Sequence, residues 1–424
     1  MGLPRLIEIR RTFPDRSLPD VYRAVRDEMD SAAWVSAVPA GSRIAVGVGS
    51  RGIANIDTIV KGVVDSWLAR GVRPFVIPVM GSHGGGTAAG QREVLAHYGV
   101  TEESVGVPVV SSLDVVEIGE TPRGIAVSMD REAWEADGVM LCSRVKWHTG
   151  FEGRIESGVH KMMAIGLGKW EGARRYHMWA VRLGLERVIR EVGRVMLDTG
   201  RMLGGLAILE DANHSTAEVH AIGAAGMVSR EEELLARVKR WKADIPFDAV
   251  DLLIVDEIGK NISGAGMDTK VINRSALGRN CWPGLPRIER IYARSLTPHG
   301  GGNAVGIGLC DVIHDRLCDA VDFGKTWINS FTASSTVSCM CPPHFPTDRE
   351  CIERILATCG RADVSKCSVV WIRNTMELAR MRVSEDLFAQ LRGAPDVEAL
   401  GLPAPIAFDS SGQIGADLLV EAAA

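Results

Sequence analysis

The feature that most constrains this chain is an alternation of two hydrophobic periods within residues 43–98. Arg43-Ile-Ala-Val-Gly-Val48 is a short unbroken apolar run, the pattern of a strand buried on both faces. After the polar turn Gly49-Ser50-Arg51-Gly52, the residues Ile56, Ile59, Val60, Val63, Val64, Trp67 and Leu68 recur at helical spacing. That spacing predicts an amphipathic helix over 56–70, closed by Gly71. Pro74-Phe-Val-Ile-Pro-Val79 reads as the next strand, before the loop Gly81-Ser82-His83-Gly84-Gly85-Gly86-Thr87 and a helix from about Ala88 to Tyr98. Strand, helix and strand at this pitch form a βαβ unit, which implies a parallel sheet with right-handed crossovers. Ligand loops of such sheets lie at the carboxyl ends of the strands, where both polar loops fall.

The same reading extends along the chain. Further strands are expected at Val107–Ser111, Gly138–Ser143, Leu206–Leu209, Leu252–Val255 and Ser368–Ile372, with a charged helix over Ser229–Lys242 that Asp244-Ile-Pro246 breaks. A chain of 424 residues is long enough for two or three domains of about 150 residues each. A fresh strand at Val250 puts the main boundary near 240–250. The expected fold class is therefore α/β: two α/β domains with mostly parallel sheets, 1–245 and 246–424. With no long linker between them, they are expected to share an active-site cleft.

Composition removes several function classes. Lys+Arg 48 against Asp+Glu 53 gives a net charge of -5, with no basic excess to hold a phosphate backbone, so no nucleic-acid partner is expected. No run of about 18 apolar residues appears, so no membrane span is expected. Charges fill the first sixteen residues, where a signal peptide needs an apolar core, so the default is a cytoplasmic protein. Nine cysteines, an odd number crowded towards the end and without a CxxC, read as reduced thiols. Cys339-Met-Cys341 is a weak hint of a metal or redox site.

Two places carry chemistry. His83 sits among glycines at a strand end, where backbone approaches a ligand closely and an imidazole acts near neutral pH. His97 and His314 read instead as helical and acid-flanked residues without a role. The densest segment runs from Val145-Lys146-Trp147-His148-Thr149-Gly150-Phe151-Glu152-Gly153 through Lys161 to His177, beginning at the carboxyl end of the strand over 138–143. Lys161 precedes Met162-Met-Ala-Ile165, and a lysine drawn into apolar surroundings loses its charge and becomes nucleophilic. A snorkelling lysine is the bland alternative. Neither G-x-x-x-x-G-K-[ST] nor a G-x-G-x-x-G opening a helix is present, so ordinary phosphate-loop and Rossmann readings fail.

On these residues the chain resembles the nickel-pincer lactate racemases and their homologues, over most of its length. Gly81-Ser82-His83 matches the strand-end loop that supplies one catalytic base in that family, and His148-Thr-Gly-Phe-Glu-Gly153 matches the segment supplying the other. Lys161 and His177 stand sixteen residues apart, like the lysine that holds the cofactor covalently and the histidine that ligates nickel. His160 is adjacent and competes for a role. The resemblance implies an N-terminal cofactor-binding domain, a C-terminal closing domain, and a nickel-pincer nucleotide on Lys161. It also implies cofactor-synthesis enzymes as partners. Where those enzymes have Asp-x-Thr-Arg, this chain keeps only Ser50 and Arg51, and its segment between His148 and Lys161 is longer, which marks a divergent branch.

The implied activity is racemisation or epimerisation of an α-hydroxy acid by reversible hydride transfer. Because two enantiomers present their hydroxyls on opposite sides, two bases are needed, and His83 and His148 would supply them. Arg51 or Lys260 would hold a carboxylate or phosphate. The alternatives are another pincer-dependent sugar-acid epimerase or oxidoreductase, to which Trp282, Trp327, Asn303 and the Gly300–Gly302 turn would suit a polyol, and a non-catalytic small-acid or metal-binding homologue.

Overall fold

The computed structural model describes residues 2–49, 52–81, 83–332 and 335–415. It divides into two compact units, one of residues 14–242 and one of residues 1–13 with 243–424. Both are α/β, as the sequence implied.

Unit 14–242 is built on a five-stranded sheet in the order Arg73–Pro78, Arg43–Val48, Gly138–Arg144, Met202–Glu210, Thr216–Gly223. The first four strands are parallel and the last is antiparallel. Both faces of the sheet are covered, which is why its central strands read as unbroken apolar runs. Ile44, Val46 and Val48 join one buried cluster while Ala45 joins the other. Met140 and Cys142 likewise separate from Val139 and Leu141. The crossover helix Ile56–Ala69 buries Ile56, Ile59, Val60, Val63, Val64 and Trp67 on its sheet-facing side, each worth about 1.5–3 kcal/mol of transfer from water. Gly71 comes just after it at φ 71.

The strand expected over Val107–Ser111 does not form. Only Val109 bridges to Val76. Pro108 has no N–H to extend a ladder, and its carbonyl accepts from the Val76 N–H at 2.9 Å. The hairpin of Val115–Glu120 and Ala126–Asp130 escaped the sequence reading.

The other unit holds a nine-stranded mixed sheet. From one edge, His344–Phe345, Val312–His314, Arg287–Leu296, Ala249–Ile258 and Val369–Ile372 run parallel. Arg380–Ser384, Arg5–Arg11 and Val397–Ala399 then continue antiparallel. The strand Arg5–Arg11, expected within the N-terminal domain, thus belongs to this sheet instead. Ile7 and Ile9 enter its core beside Leu253 and Val383, and Glu8 pairs with Arg380 and Arg382. All nine cysteines are free thiols. Among the described residues, no helix is long and apolar enough to cross a membrane.

Candidate active site

Three strand ends of unit 14–242 stand level. Val48 is in register with Pro78 on one side and Cys142 on the other, so the outer two strands are about 10 Å apart. His83 lies in the loop after Arg73–Pro78, and His148 in the loop after Gly138–Arg144. Ser50 and Arg51, at the end of the middle strand, lie outside the described residues, as does Ser82.

The His83 loop is built on glycine. Gly84 is at φ +64, and a Cβ there would stand 2.5 Å from the Gln91 nitrogen, so no other residue fits. The buried Gln91 side chain reaches back from the helix Ala88–His97, donating from Nε2 to the Gly81 carbonyl at 2.9 Å. Thr87 caps that helix by accepting from the Gly90 N–H at 3.0 Å. His83 itself is half-buried, and its N–H donates to the Met80 carbonyl at 3.1 Å.

The loop bearing His148 is clamped by one fully buried carboxylate. Glu156 accepts from the His148 N–H at 2.7 Å and from the Gly153 N–H at 3.0 Å. The Lys239 ammonium from the helix Met227–Lys239 neutralises it. Ser157 closes the base of the loop, accepting from the Lys146 N–H at 2.6 Å and donating to the Lys146 carbonyl at 2.5 Å. The imidazole of His148 stacks on Phe151 with centroids 4.5 Å apart. Its Nδ1 accepts from the Gly150 N–H at 2.9 Å. A ring that accepts at Nδ1 is neutral there and carries its proton on Nε2. In this geometry a neutral His148 carries its proton on Nε2, and it gains a second proton only by releasing Gly150.

Lys161 ends the short helix Gly158–Lys161, which passes through a π-helical turn, Met162–Gly166, into the helix Lys169–Leu183 carrying His177. The turn brings the two residues together: Lys161 lies close enough for its charge to act on His177. Burial first, and Lys161 second, push the His177 imidazole down to about 4. A neutral imidazole keeps a lone pair for a metal, and the Lys161 amine is within electrostatic reach of it. The His83 loop packs against the same segment at two points. A Cβ at Gly81 would lie 3.3 Å from the Ala173 Cβ, and one at Gly86 would lie 3.3 Å from Trp170. The donor set of a lysine-anchored, histidine-ligated metal cofactor is therefore consistent with this geometry.

Three results could not be read from the sequence. Lys169 is fully buried at φ 53, and its ammonium bonds Asp130 at 2.7 Å and the Pro78 carbonyl at 2.7 Å. It ties the last residue of the strand before the His83 loop to the start of the His177 helix. His160 does not compete with Lys161. Its ring is buried against Gly193 with neither nitrogen at hydrogen-bond geometry, and its N–H donates to Glu231 at 2.9 Å. Lys260 belongs to the other unit, after the strand Ala249–Ile258, where its Nζ donates to the Gly264 carbonyl at 2.6 Å.

No protein-family model matches the chain, and no curated protein matches it. Among solved structures, the lactate racemase apoprotein from Thermoanaerobacterium thermosaccharolyticum is similar, with a TM-score of 0.54 at 13% identity, covering 88% of this chain and 99% of that one. A protein from Thermotoga maritima matches with a TM-score of 0.49 at 13% identity, over 67% of this chain and 72% of that one. The chain thus has the fold of a lactate racemase, as its motifs implied.

Proposed function

We propose that this chain, sharing its fold with a lactate racemase, is a cytoplasmic isomerase of small α-hydroxy acids, a racemase or epimerase working by reversible hydride transfer. The observation that carries the reading is that Lys161 lies within electrostatic reach of a His177 held neutral by burial, on a segment packed against the His83 loop. Lys161 would hold a nickel-pincer nucleotide covalently and His177 would ligate its nickel. When bound, such a group supplies an electrophile for the hydrogen on the substrate's Cα.

The protein's own residues then manage the proton and the carboxylate. Hydrogen leaves Cα with its electron pair only if the hydroxyl proton leaves too, so a neutral imidazole must reach that oxygen. His83, on a glycine loop at the strand end, takes this proton. His148 offers its Nε2–H to the substrate oxygen from the opposite flank of the middle strand. For the other enantiomer, His148 takes a proton after its Nδ1 lets go of Gly150. Arg51, which follows Ser50 just after the middle strand in the sequence, would hold the carboxylate, as a guanidinium can do bidentately.

The test is co-production with the cofactor-synthesis enzymes, then intact mass, nickel content and a chiral assay over short hydroxy acids and aldonic acids. The expected result is a covalent adduct with about one nickel per chain, absent from Lys161→Ala, and interconversion of at least one enantiomer or epimer pair. No adduct under conditions that load a known lactate racemase would overturn the reading.

A further inference from the structure

A cluster of metal-ligating side chains lies in the other unit, far in sequence from Lys161 and His177. The parallel register pairs Ile313 with His344, and the strand Val312–His314 runs directly into the helix Asp315–Asp319. Asp315 and Cys318 are three residues apart and so project from the same side of that helix. Asp315 Oδ1 meets His344 Nδ1 at 2.6 Å. Cys341 precedes His344 by three residues, after the turn Thr336–Cys339. One ligand atom each from Cys318, Cys341 and His344 lies within 4.8 Å of the others, the one such His/Cys/carboxylate group among the described residues.

The spacing discriminates between chemistries. The two sulfurs are 3.7 Å apart, against about 2.05 Å in a disulfide. Two thiolates each about 2.3 Å from a tetrahedral zinc ion stand about 3.8 Å apart. The His344 Nδ1 sits on a carboxylate, the supporting contact common at metal-binding histidines, and an Nδ1–H donated to Asp315 leaves Nε2 its lone pair. Cys339, half of the C-x-C pair in the sequence, takes no part, since its thiol is directed at the Thr336 carbonyl of its own turn at 3.1 Å.

We propose that Cys318, Cys341 and His344 bind a zinc ion, with Asp315 as the residue that fixes the imidazole and water as the fourth ligand. Binding releases the two thiol protons to solvent. The ion would pin the helix Asp315–Asp319 to the segment that leads into the sheet edge at His344. Cys341 and His344 are exposed and Cys318 is half-buried, so the ion enters and leaves from solvent.

The test uses the full chain, produced without cofactor-synthesis enzymes, reduced and stripped of metal. Titration with cobalt(II) should give one equivalent with an intense near-ultraviolet sulfur-to-cobalt band, displaced by zinc. The band should be lost in Cys341→Ser and in Cys318→Ser, and remain in His177→Ala, which separates this site from that of the proposed nickel. Asp315→Asn should weaken zinc about 10–100-fold. Mass mapping after alkylation gives an independent readout: zinc should protect Cys318 and Cys341 and leave Cys339 reactive. The proposal falls if no sulfur-to-cobalt band appears, if the band survives Cys341→Ser, or if the two thiols emerge from oxygenated buffer as a disulfide that zinc does not prevent.

Discussion

Glu231 and His160 are a buried acid and base whose titrations pull in opposite directions. Burial raises Glu231 to about 8, so the folded state holds a proton that the unfolded chain has released, and stability falls as pH rises from about 4.5 to 8. His160 is pushed down to about 4, by burial first and by the Arg190 charge second. There the unfolded chain holds the extra proton, and stability rises with pH from about 4 to 6.5. The two oppose each other up to about pH 6.5, and Glu231 acts alone above it. The unfolding free energy from urea titrations should therefore drop between pH 6.5 and 8 by an amount on the order of 2 kcal/mol, and Glu231→Gln should flatten that drop. Equal slopes in both proteins would rule the assignment out. At the proposed catalytic residues, His83→Ala and His148→Ala should each abolish interconversion while leaving the covalent adduct in the intact mass. Nitrogen-15 shifts of His148 should report the Nε2–H tautomer; a proton on Nδ1 would contradict the Gly150 contact.

Elements matter here chiefly as clamps on loops. The loop carrying His148 contributes little ladder bonding of its own, so its shape depends on Glu156 accepting from two backbone N–H groups while Lys239 balances its charge. A glutamine offers one acceptor oxygen where the carboxylate offers two. Glu156→Gln should leave one N–H unpaired at a cost of about 1–3 kcal/mol. Hydrogen exchange should then quicken at His148 and Gly153 while the strand Gly138–Arg144 keeps its protection. Lys169 clamps in the same way from the buried side. Asp130→Ala leaves its ammonium without a counter-ion in the core, which should cost about 3–5 kcal/mol in chemical denaturation. Neither clamp is legible in the sequence, because a glutamate amid charged neighbours and a lysine just after a glycine pair look like solvated surface.

At the scale of the whole molecule, each unit's hydrophobic clusters draw only on that unit's residues. The strand Arg5–Arg11 lies between Arg380–Ser384 and Val397–Ala399, so the chain's first residues help complete the sheet of its last. Deleting residues 2–13 should lower the thermal transition of residues 243–424 and leave that of residues 14–242 in place, as read by limited proteolysis with peptide mapping. Simultaneous loss of both would show that the units do not unfold separately.

The sequence by itself determined the class of the fold and the places where chemistry gathers. Strands buried on both faces must be apolar throughout, and a crossover helix must repeat at 3.6 residues, so Arg43–Val48, Ile56–Ala69 and the loops after them stood out. Strands such as Arg5–Arg11, Thr216–Gly223 and Arg287–Leu296 carry charges along their length, and their partners lie elsewhere in the chain, so only the tertiary structure located them. The tertiary structure likewise decided which donors meet. Lys161 comes within electrostatic reach of His177 across a π-helical turn, Asp315 reaches His344 through a parallel register, and the Cys339 thiol turns to the Thr336 carbonyl. Sequence spacing records chemical kind and local period, whereas proximity between distant segments depends on packing that no local pattern encodes.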